Sequence, residues 1–493
     1  MKKYSLIAGL LCFGIFAFWG CQNPTKISDE DLAKQKWANF AHSGLTDLSF
    51  LEGETTLEWL NLDSNDFSDL SPLSDLENLE YLSLKNCYKI SNITPLSNLK
   101  KLTYLKLEGC WRITDISPLS GLTSLEYLSL LSANGVTDLS ALSNLTNLKT
   151  LDLGWANGIK EYSKLSSLTN LEWIRLAGQK SESVSGISGL PKLKEIYFAH
   201  NALTKIELSN LPQCKKIFFG YCDSVKEVSL SNIPVLDSLN LTPCFGLSKL
   251  SLSGLSGLKY LAFGSKELTN STITLSGVSS IEKIETSLEQ VKSLAFVKGL
   301  TSLKSLSVTC QELSDISDVA NLTNLEELTL RSDGITDISS LTNLTKIRSL
   351  NLSYCGSIDN ISVISNLTSI QELDLSNCRA IKSLAPIASL TNLRTLNLRY
   401  CQSLDSTLPD LKNLTQLRSV NINNCSSLKD VSGLSSLTNI NFIDIRYCGL
   451  DTTSIGPVLA VLSAGDTLKF SSGQLTTAQE NDLTSKGVIM PRY

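Results

Sequence analysis

Along most of the chain, apolar residues recur in one phrase, Leu-x-x-Leu-x-Leu-x-x-Asn/Cys. Its first position falls at residue 57, then at 79, 102 and 125, and so on to 440. Eighteen frames stay in phase with a mean spacing of about 22.5 residues. The hexapeptide LEYLSL occurs twice without change, at Leu79–Leu84 and Leu125–Leu130. Within each frame the Leu-x-Leu alternation has period two and predicts a short strand. Afterwards the apolar residues spread out, as with Ile335, Ile338, Leu341 and Leu344 in the frame beginning at Leu325. That spacing predicts a return of turns or short helical pieces. One such unit has too few apolar side chains to offset the ordering of its own backbone, so units must stack and the stack needs caps.

The ends and the middle depart from this rhythm. Ser28–Phe40 carries a capping pattern and an acidic first turn, which predicts a short starting helix. After Gly449, GPVLAVLSAG, DTLKF and TTAQENDLTSKG break phase and predict helix, strand, helix. From Leu193 to about Ser280 the returns become KIELSNLP, KEVSLSNIP and KLSLSG. These alternate like strands and predict altered curvature.

Over roughly residues 37–449 the phrase resembles the leucine-rich-repeat family. The units LTNLEELTLRSDGITDISS and LTYLKLEGCWRITDISPLSG are similar to the short repeats of bacterial internalin-type proteins. The resemblance implies an α/β-type solenoid: a curved parallel sheet of short strands on the concave face, with turns, short helices or 3-10 segments on the convex face. About eighteen repeats of 21–24 residues would fill 37–449, with 450–493 as a C-terminal cap.

The first residues add a compartment. Lys2 and Lys3 precede SLIAGLLCFGIFAFW, which ends at Gly20-Cys21. A basic start, an apolar stretch and a small residue describe a secretory signal over 1–20. Gly20-Cys21 resembles a bacterial lipobox, implying lipidation of Cys21 and a tether with N-terminal cap over 21–36. Ordinary cleavage and an uncleaved anchor are the other readings. Two or three acyl chains would hold the protein at a membrane. Composition changes little: 42% hydrophobic, 18% charged and pI near 5.4 describe an ordered chain with no basic face for nucleic acid.

Several signals look chemical. Of thirteen cysteines, nine hold the ninth position of their frames, a place taken by Asn65 and Asn201 in two others. In the family this residue points inward and hydrogen-bonds the neighbouring turn, which implies a buried ladder. Eleven cysteines remain after Cys21, an odd number, and no CxxC spacing suggests zinc. Disulfides between neighbouring units stay as the alternative. The NLT triplets at Asn144, Asn321, Asn343, Asn366 and Asn413 match a glycosylation sequon but share one repeat phase. Asp47, Asp115, Asp138 and Asp337 of the TDIS motifs read as turn caps rather than calcium ligands. His42 and His200 have no paired nucleophile, and phosphate-loop, HExxH and GxSxG motifs are missing. No catalytic residue, cofactor or metal site is expected.

The informative residues face outward. The third position reads Trp59, Tyr81, Tyr104, Tyr127, Thr150 and Trp173 through the first six frames, in a chain that is 7% aromatic. Tyr197 and Phe218, at the fifth position, prolong the row, and Trp155 and Tyr221 flank it at the eighth. Strand propensity alone would spread aromatics along the whole array. Here they cluster, as interface anchors do, with acidic neighbours at Glu58, Glu80, Glu126 and Glu172 to tune a partner. A weaker set, Arg331, Arg399 and Arg446 with Tyr354, Tyr400 and Tyr447, recurs near the end. The expected protein is a monomer on a bacterial cell envelope, at the outer membrane or cell surface. It would bind a protein partner, by resemblance to internalins on a host or neighbouring cell. The alternative is an envelope-organising or inhibitory subunit with a periplasmic partner.

Overall fold

The computed structural model describes residues 36–178, 184–200 and 202–491. The leader, Cys21, Asn201 and most of Ser28–Phe40 lie outside the described residues. All eighteen frames open a parallel strand at their third residue, so the apolar phrase and the strand ladder coincide. The chain divides into two compact units, Met1–Leu236 and Asp237–Tyr493.

In the first unit the strands are β1 (Trp37–Asn39), β2 (Trp59–Asn61), β3 (Tyr81–Ser83), β4 (Tyr104–Lys106), β5 (Tyr127–Ser129) and β6 (Thr150–Asp152). They are followed by β7 (Trp173–Arg175), β8 (Glu195–Ala199), β9 (Lys205–Ser209), β10 (Lys216–Gly220) and β11 (Glu227–Ser231). β1 to β8 pair in sequence and β8 pairs with β10, always third residue to third residue. β1 bounds the starting helix expected within Ser28–Phe40: Trp37–Asn39 at the end of that segment is a strand. Ala38 and Phe40 point inward while Trp37 and Asn39 face out, so burial on alternate residues overrides the local helix signal.

In the second unit an equivalent sheet runs from Ser238–Asn240 to Thr467–Lys469. The leucines of each phrase make the core; Leu79, Leu82 and Leu84 are fully buried. The strand-like returns of the middle frames form a second parallel sheet on the opposite side. β9 pairs with β11 in the first unit, and Lys249–Ser253 with Ile273–Ser276 in the second. Alternation explains this: Ile206 and Leu208 are buried, Lys205 and Glu207 exposed.

Most other returns are 3-10 pieces such as Thr94–Asn98 or Ser117–Gly121. The aspartates open it. Asp115 Oδ1 accepts the Ser117 N–H at 2.8 Å, and Asp138 and Asp337 do the same for Ser140 and Ser339. Asn144, Asn321 and Asn366 of the NLT triplets end such pieces. The second Asn of each NLTNL ties units together: Asn147 Nδ2 donates to the Thr123 carbonyl and Asn324 Nδ2 to that of Thr301, both at 2.9 Å. After Gly449 come α1 (Gly456–Val461), the strand Thr467–Lys469 and α2 (Thr477–Ser485), the last opened by a reciprocal Thr476–Gln479 capping box.

The ninth-position residues build a ladder through the core. Asn65 Nδ2 donates to the carbonyls of Phe40 and Leu62, at 2.8 and 2.9 Å, and Asn65 Oδ1 accepts the Leu45 N–H at 3.0 Å. Seven of the ninth-position cysteines make one bond of this kind each, to a carbonyl of the preceding unit. Cys87 Sγ reaches the Leu62 carbonyl at 3.2 Å, Cys401 that of Leu375 at 3.1 Å and Cys425 that of Leu398 at 3.0 Å. All eleven described cysteines are free thiols, and burial pushes those of Cys110 and Cys425 up to about 12.

Candidate functional site

The nine aromatics singled out by position gather into three groups in the first unit. Because strands pair in register, third-position rings are carried face to face at the strand spacing. Trp59 stacks on Tyr81 with centroids 4.8 Å apart, Tyr81 on Tyr104 at 4.5 Å, and Tyr104 on Tyr127 at 4.0 Å, within 15° of parallel. Each ring is half-buried because its neighbours cover its faces. Burial, with the Tyr104 hydroxyl beside it, raises the Tyr127 phenol well above its ordinary value. Lys106 lies over the Tyr104 ring at 5.5 Å. Thr150 interrupts the column on β6.

A second column crosses from the third to the fifth position. Trp173 meets Tyr197 at 5.2 Å and Tyr197 stacks on Phe218 at 4.5 Å, with Arg175 over Trp173 at 5.3 Å. The third lies at the eighth position: Trp155 meets His200 at 5.3 Å, and His200 stacks on Tyr221 at 4.7 Å. Gly178 makes this possible. It occupies the eighth position between Trp155 and His200, and a Cβ there would fall 2.4 Å from Trp155 Cε3. Trp155 and Phe218 remain 44% and 43% exposed, enough for a partner to cover a ring face.

Backbone conformation adds an argument that the sequence did not supply. The eighth position is left-handed, with φ of 57° at Trp155 and 51° at both His200 and Tyr221. Gly109, Asn86 and Asn377 fill the same place in other frames at little strain. An aromatic there costs about 1–2 kcal/mol in local strain, and Tyr354, Tyr400 and Tyr447 hold the same conformation in the second unit, so this backbone state belongs to the repeat rather than to one patch.

Two residues of the site were missed. Trp37 is in register with Trp59 and belongs to the first row. The 22-residue step from 37 to 59 was the available signal, hidden because Gln35 replaces the leucine that would begin a frame. His200 was weighed only for catalysis, whereas its ring joins Trp155 to Tyr221. The acidic neighbours also differ from expectation. Glu58, Glu126 and Glu172 pair across the sheet with Lys36, Lys149 and Lys194, each at 2.7 Å. In the second unit, Arg446 is held by Asp444 at 2.7 Å, Arg331 donates to Ser353 at 3.0 Å, and Arg399 covers Tyr400 at 4.7 Å. Tyr354 and Tyr447 remain exposed beside them.

Among the described residues no group of three or more His, Cys, Asp or Glu could hold a metal ion, and no helix is long and apolar enough to cross a membrane. A parallel ladder of short strands, backed by 3-10 returns and an inward Asn/Cys ladder, defines a repeat solenoid.

Known families agree with that class. The model described as leucine-rich repeats (2 copies) matches residues 100–144 and 368–413, and the BspA-type leucine-rich-repeat region (6 copies) matches 166–269 and 256–382. The chain is a leucine-rich-repeat protein. No curated protein sequence matches it. Among solved structures, an internalin of Listeria monocytogenes is 20% identical over 85% of this chain and 88% of its own, with a TM-score of 0.26. A leucine-rich-repeat protein of Leptospira interrogans is 17% identical over 94% and 97%, with 0.38. Toll of Drosophila, solved with Spätzle, is 15% identical over 92% of this chain and 60% of its own, with 0.53.

Proposed function

We propose that the protein is a non-enzymatic receptor for another protein, which it binds through the strand face of its first unit. The observation that supports this most is the clustering of aromatic columns there. The row from Trp59 to Tyr127 offers ring edges and hydroxyls, while Trp155, Phe218 and Tyr221 offer faces. Such rigid aromatic groups lose little side-chain freedom on contact, which suits them to anchor an interface. Toll bound to Spätzle is a precedent for a leucine-rich-repeat chain engaging a protein. We place this protein on a bacterial cell envelope, tethered by lipid at Cys21 and facing outward, where its binding serves adhesion to a host or neighbouring cell.

The test is capture from host-surface and envelope extracts by the soluble chain from Gln22 onward. A variant with alanine at Trp59, Tyr81, Tyr104, Tyr127 and Trp173 runs beside it. Anchors of this kind contribute at least ~2 kcal/mol each, so the variant loses more than 100-fold in affinity. Equal capture by a variant with unchanged circular dichroism refutes the reading. Labelled palmitate entering the wild type but not Cys21→Ser tests the tether, and protease cleavage on intact cells tests the outward face.

A further inference from the structure

In the second unit the repeat breaks its own rules over three consecutive frames. Tyr260–Ser265, Lys283–Leu288 and Ser305–Cys310 run as six-residue strands, twice the usual three. Their eighth residues, Ser265, Leu288 and Cys310, are absent from the left-handed positions that end other strands. Their ninth residues are Lys266, Glu289 and Gln311 in place of the ladder's Cys or Asn. At the sixth position seventeen frames carry Leu, Ile, Val or Phe, and the exception is Thr286. Its hydroxyl is buried without a hydrogen-bond partner, in a residue only 7% exposed. Local violations of this kind concentrate where a fold serves function.

The consequence is a cavity of about 520 Å³, within the range of small-molecule sites. It exists because side chains are short or missing. Thr286 replaces a leucine, and Gly264 has none; a Cβ on Gly264 would lie 2.9 Å from the Ser287 carbonyl oxygen. Phe263 and Leu288 are buried beneath the opening, and the apolar face open to a ligand is Phe245, which stands at the rim with 67% of its surface exposed. Ser265 Oγ holds the Phe245 loop by donating to the Phe245 carbonyl at 3.1 Å.

The charges at the rim are matched within the protein. Glu285 pairs with Lys283 at 2.9 Å and accepts the Tyr260 hydroxyl at 2.8 Å, and Glu289 pairs with Lys266 at 3.0 Å. A charged ligand would meet no opposite charge in need of a partner. The hydroxyls of Thr242, Ser287 and Ser307 line the opening, and the Glu285 carboxylate can accept further hydrogen bonds. A neutral ligand with one apolar face and many hydroxyls fits this lining. We propose that the cavity is a binding site for a neutral saccharide of one or two hexose units. The C–H face of the sugar lies on Phe245, and its hydroxyls meet Ser287, Ser307 and Glu285. This site is independent of the aromatic columns of the first unit.

Saturation-transfer NMR on the whole chain tests it, with glucose, galactose, mannose, N-acetylglucosamine and their β-linked dimers as probes. Glucose 6-phosphate and glucuronate are the charged controls. At least one neutral sugar binds, and Phe245→Ala weakens it tenfold or more without moving the melting temperature, since that ring is on the surface. Thr286→Leu restores the residue of the repeat: it raises the melting temperature while weakening the sugar at least tenfold. Those opposite signs separate loss of the site from loss of the fold. The proposal is overturned by no neutral sugar binding, by binding of the charged controls alone, or by wild-type affinity in both variants.

Discussion

Asn65→Ala is the sharpest test of how the stack is held. Asn65 is buried and serves four backbone groups: it donates to the carbonyls of Phe40 and Leu62, more weakly to that of Asp63 at 3.4 Å, and accepts the Leu45 N–H. The Leu62 carbonyl keeps a partner after the substitution, because Cys87 also donates to it. The Phe40 carbonyl and the Leu45 N–H do not. The buried Phe40 carbonyl left unpaired costs about 1–3 kcal/mol, and the part-buried Leu45 N–H and the lost bond to Leu62 add about 1–2 kcal/mol together, so roughly 3–5 kcal/mol is expected. Asn65→Cys should sit between. Its thiol can reach Phe40 as Cys87 reaches Leu62, but it leaves Leu45 unpaired, for a loss of about 1–3 kcal/mol. Stability in a repeat array is local, so the assay is native-state hydrogen exchange rather than a single melting curve. Protection across β1 and β2 should fall roughly 100- to 3,000-fold in the alanine variant, at about 1.4 kcal/mol per factor of ten. Amides of the strand Glu327–Arg331 should keep wild-type protection. A loss below about 1 kcal/mol, or a cysteine variant no better than alanine, would show that the inward ladder does not carry the stacking.

Three further outcomes follow from the same geometry. Hydrogen bonds from Ser49, Ser71, Ser117, Ser140 and Ser339 hold the carboxyls of Asp47, Asp69, Asp115, Asp138 and Asp337 below their ordinary value. Their contribution is complete above the unfolded carboxyl value, near pH 4, and is lost as pH falls through the lower folded values. Replacing all five by Asn keeps the turn acceptor but removes the titration, so melting temperatures below pH 4 should fall less steeply than in the wild type; an identical acid limb contradicts this. Burial raises the ladder thiols, Cys87 and Cys355 to about 11 and Cys110 and Cys425 to about 12, so a thiol reagent at pH 8 should label them only after denaturant is added. Rapid native labelling of all eleven would contradict the ladder. Gly178→Ala places a Cβ against Trp155 at a φ of 69° and should cost about 1–2 kcal/mol while shifting tryptophan fluorescence. An unchanged spectrum and stability would show that Trp155 does not rest there.

The fold was legible because one apolar phrase specifies both strand position and core face. Eighteen frames located eighteen strands, and alternation at Ile206 and Leu208 located the second sheet. Where the leucine was missing, at Gln35, the first strand and Trp37 were lost with it. The site was half legible. Register places Tyr81, Tyr104 and Tyr127 in one row, but that their faces cover one another depends on rotamers, which spacing does not specify. The Trp155–His200 contact depends on a glycine between them, a through-space gap with no mark in a hydrophobic pattern. The acidic residues at the second position were read as tuning a partner, and the lysines that pair with Glu58, Glu126 and Glu172 were hidden because they lie 22 or 23 residues away in the chain though directly alongside in the sheet.

The ladder bond has a consequence for ancestry. Cys378 grips the Leu352 carbonyl, Cys401 that of Leu375 and Cys425 that of Leu398, so every handshake joins equivalent atoms of adjoining units. Excising residues 370–392 would bring Cys401 to Leu352 and Thr395 beside Ser349, the partners that Cys378 and Glu372 hold now. Copy number can therefore drift by unequal crossing-over, lengthening or shortening the array without inventing a contact. The identical LEYLSL segments are what such duplication leaves behind.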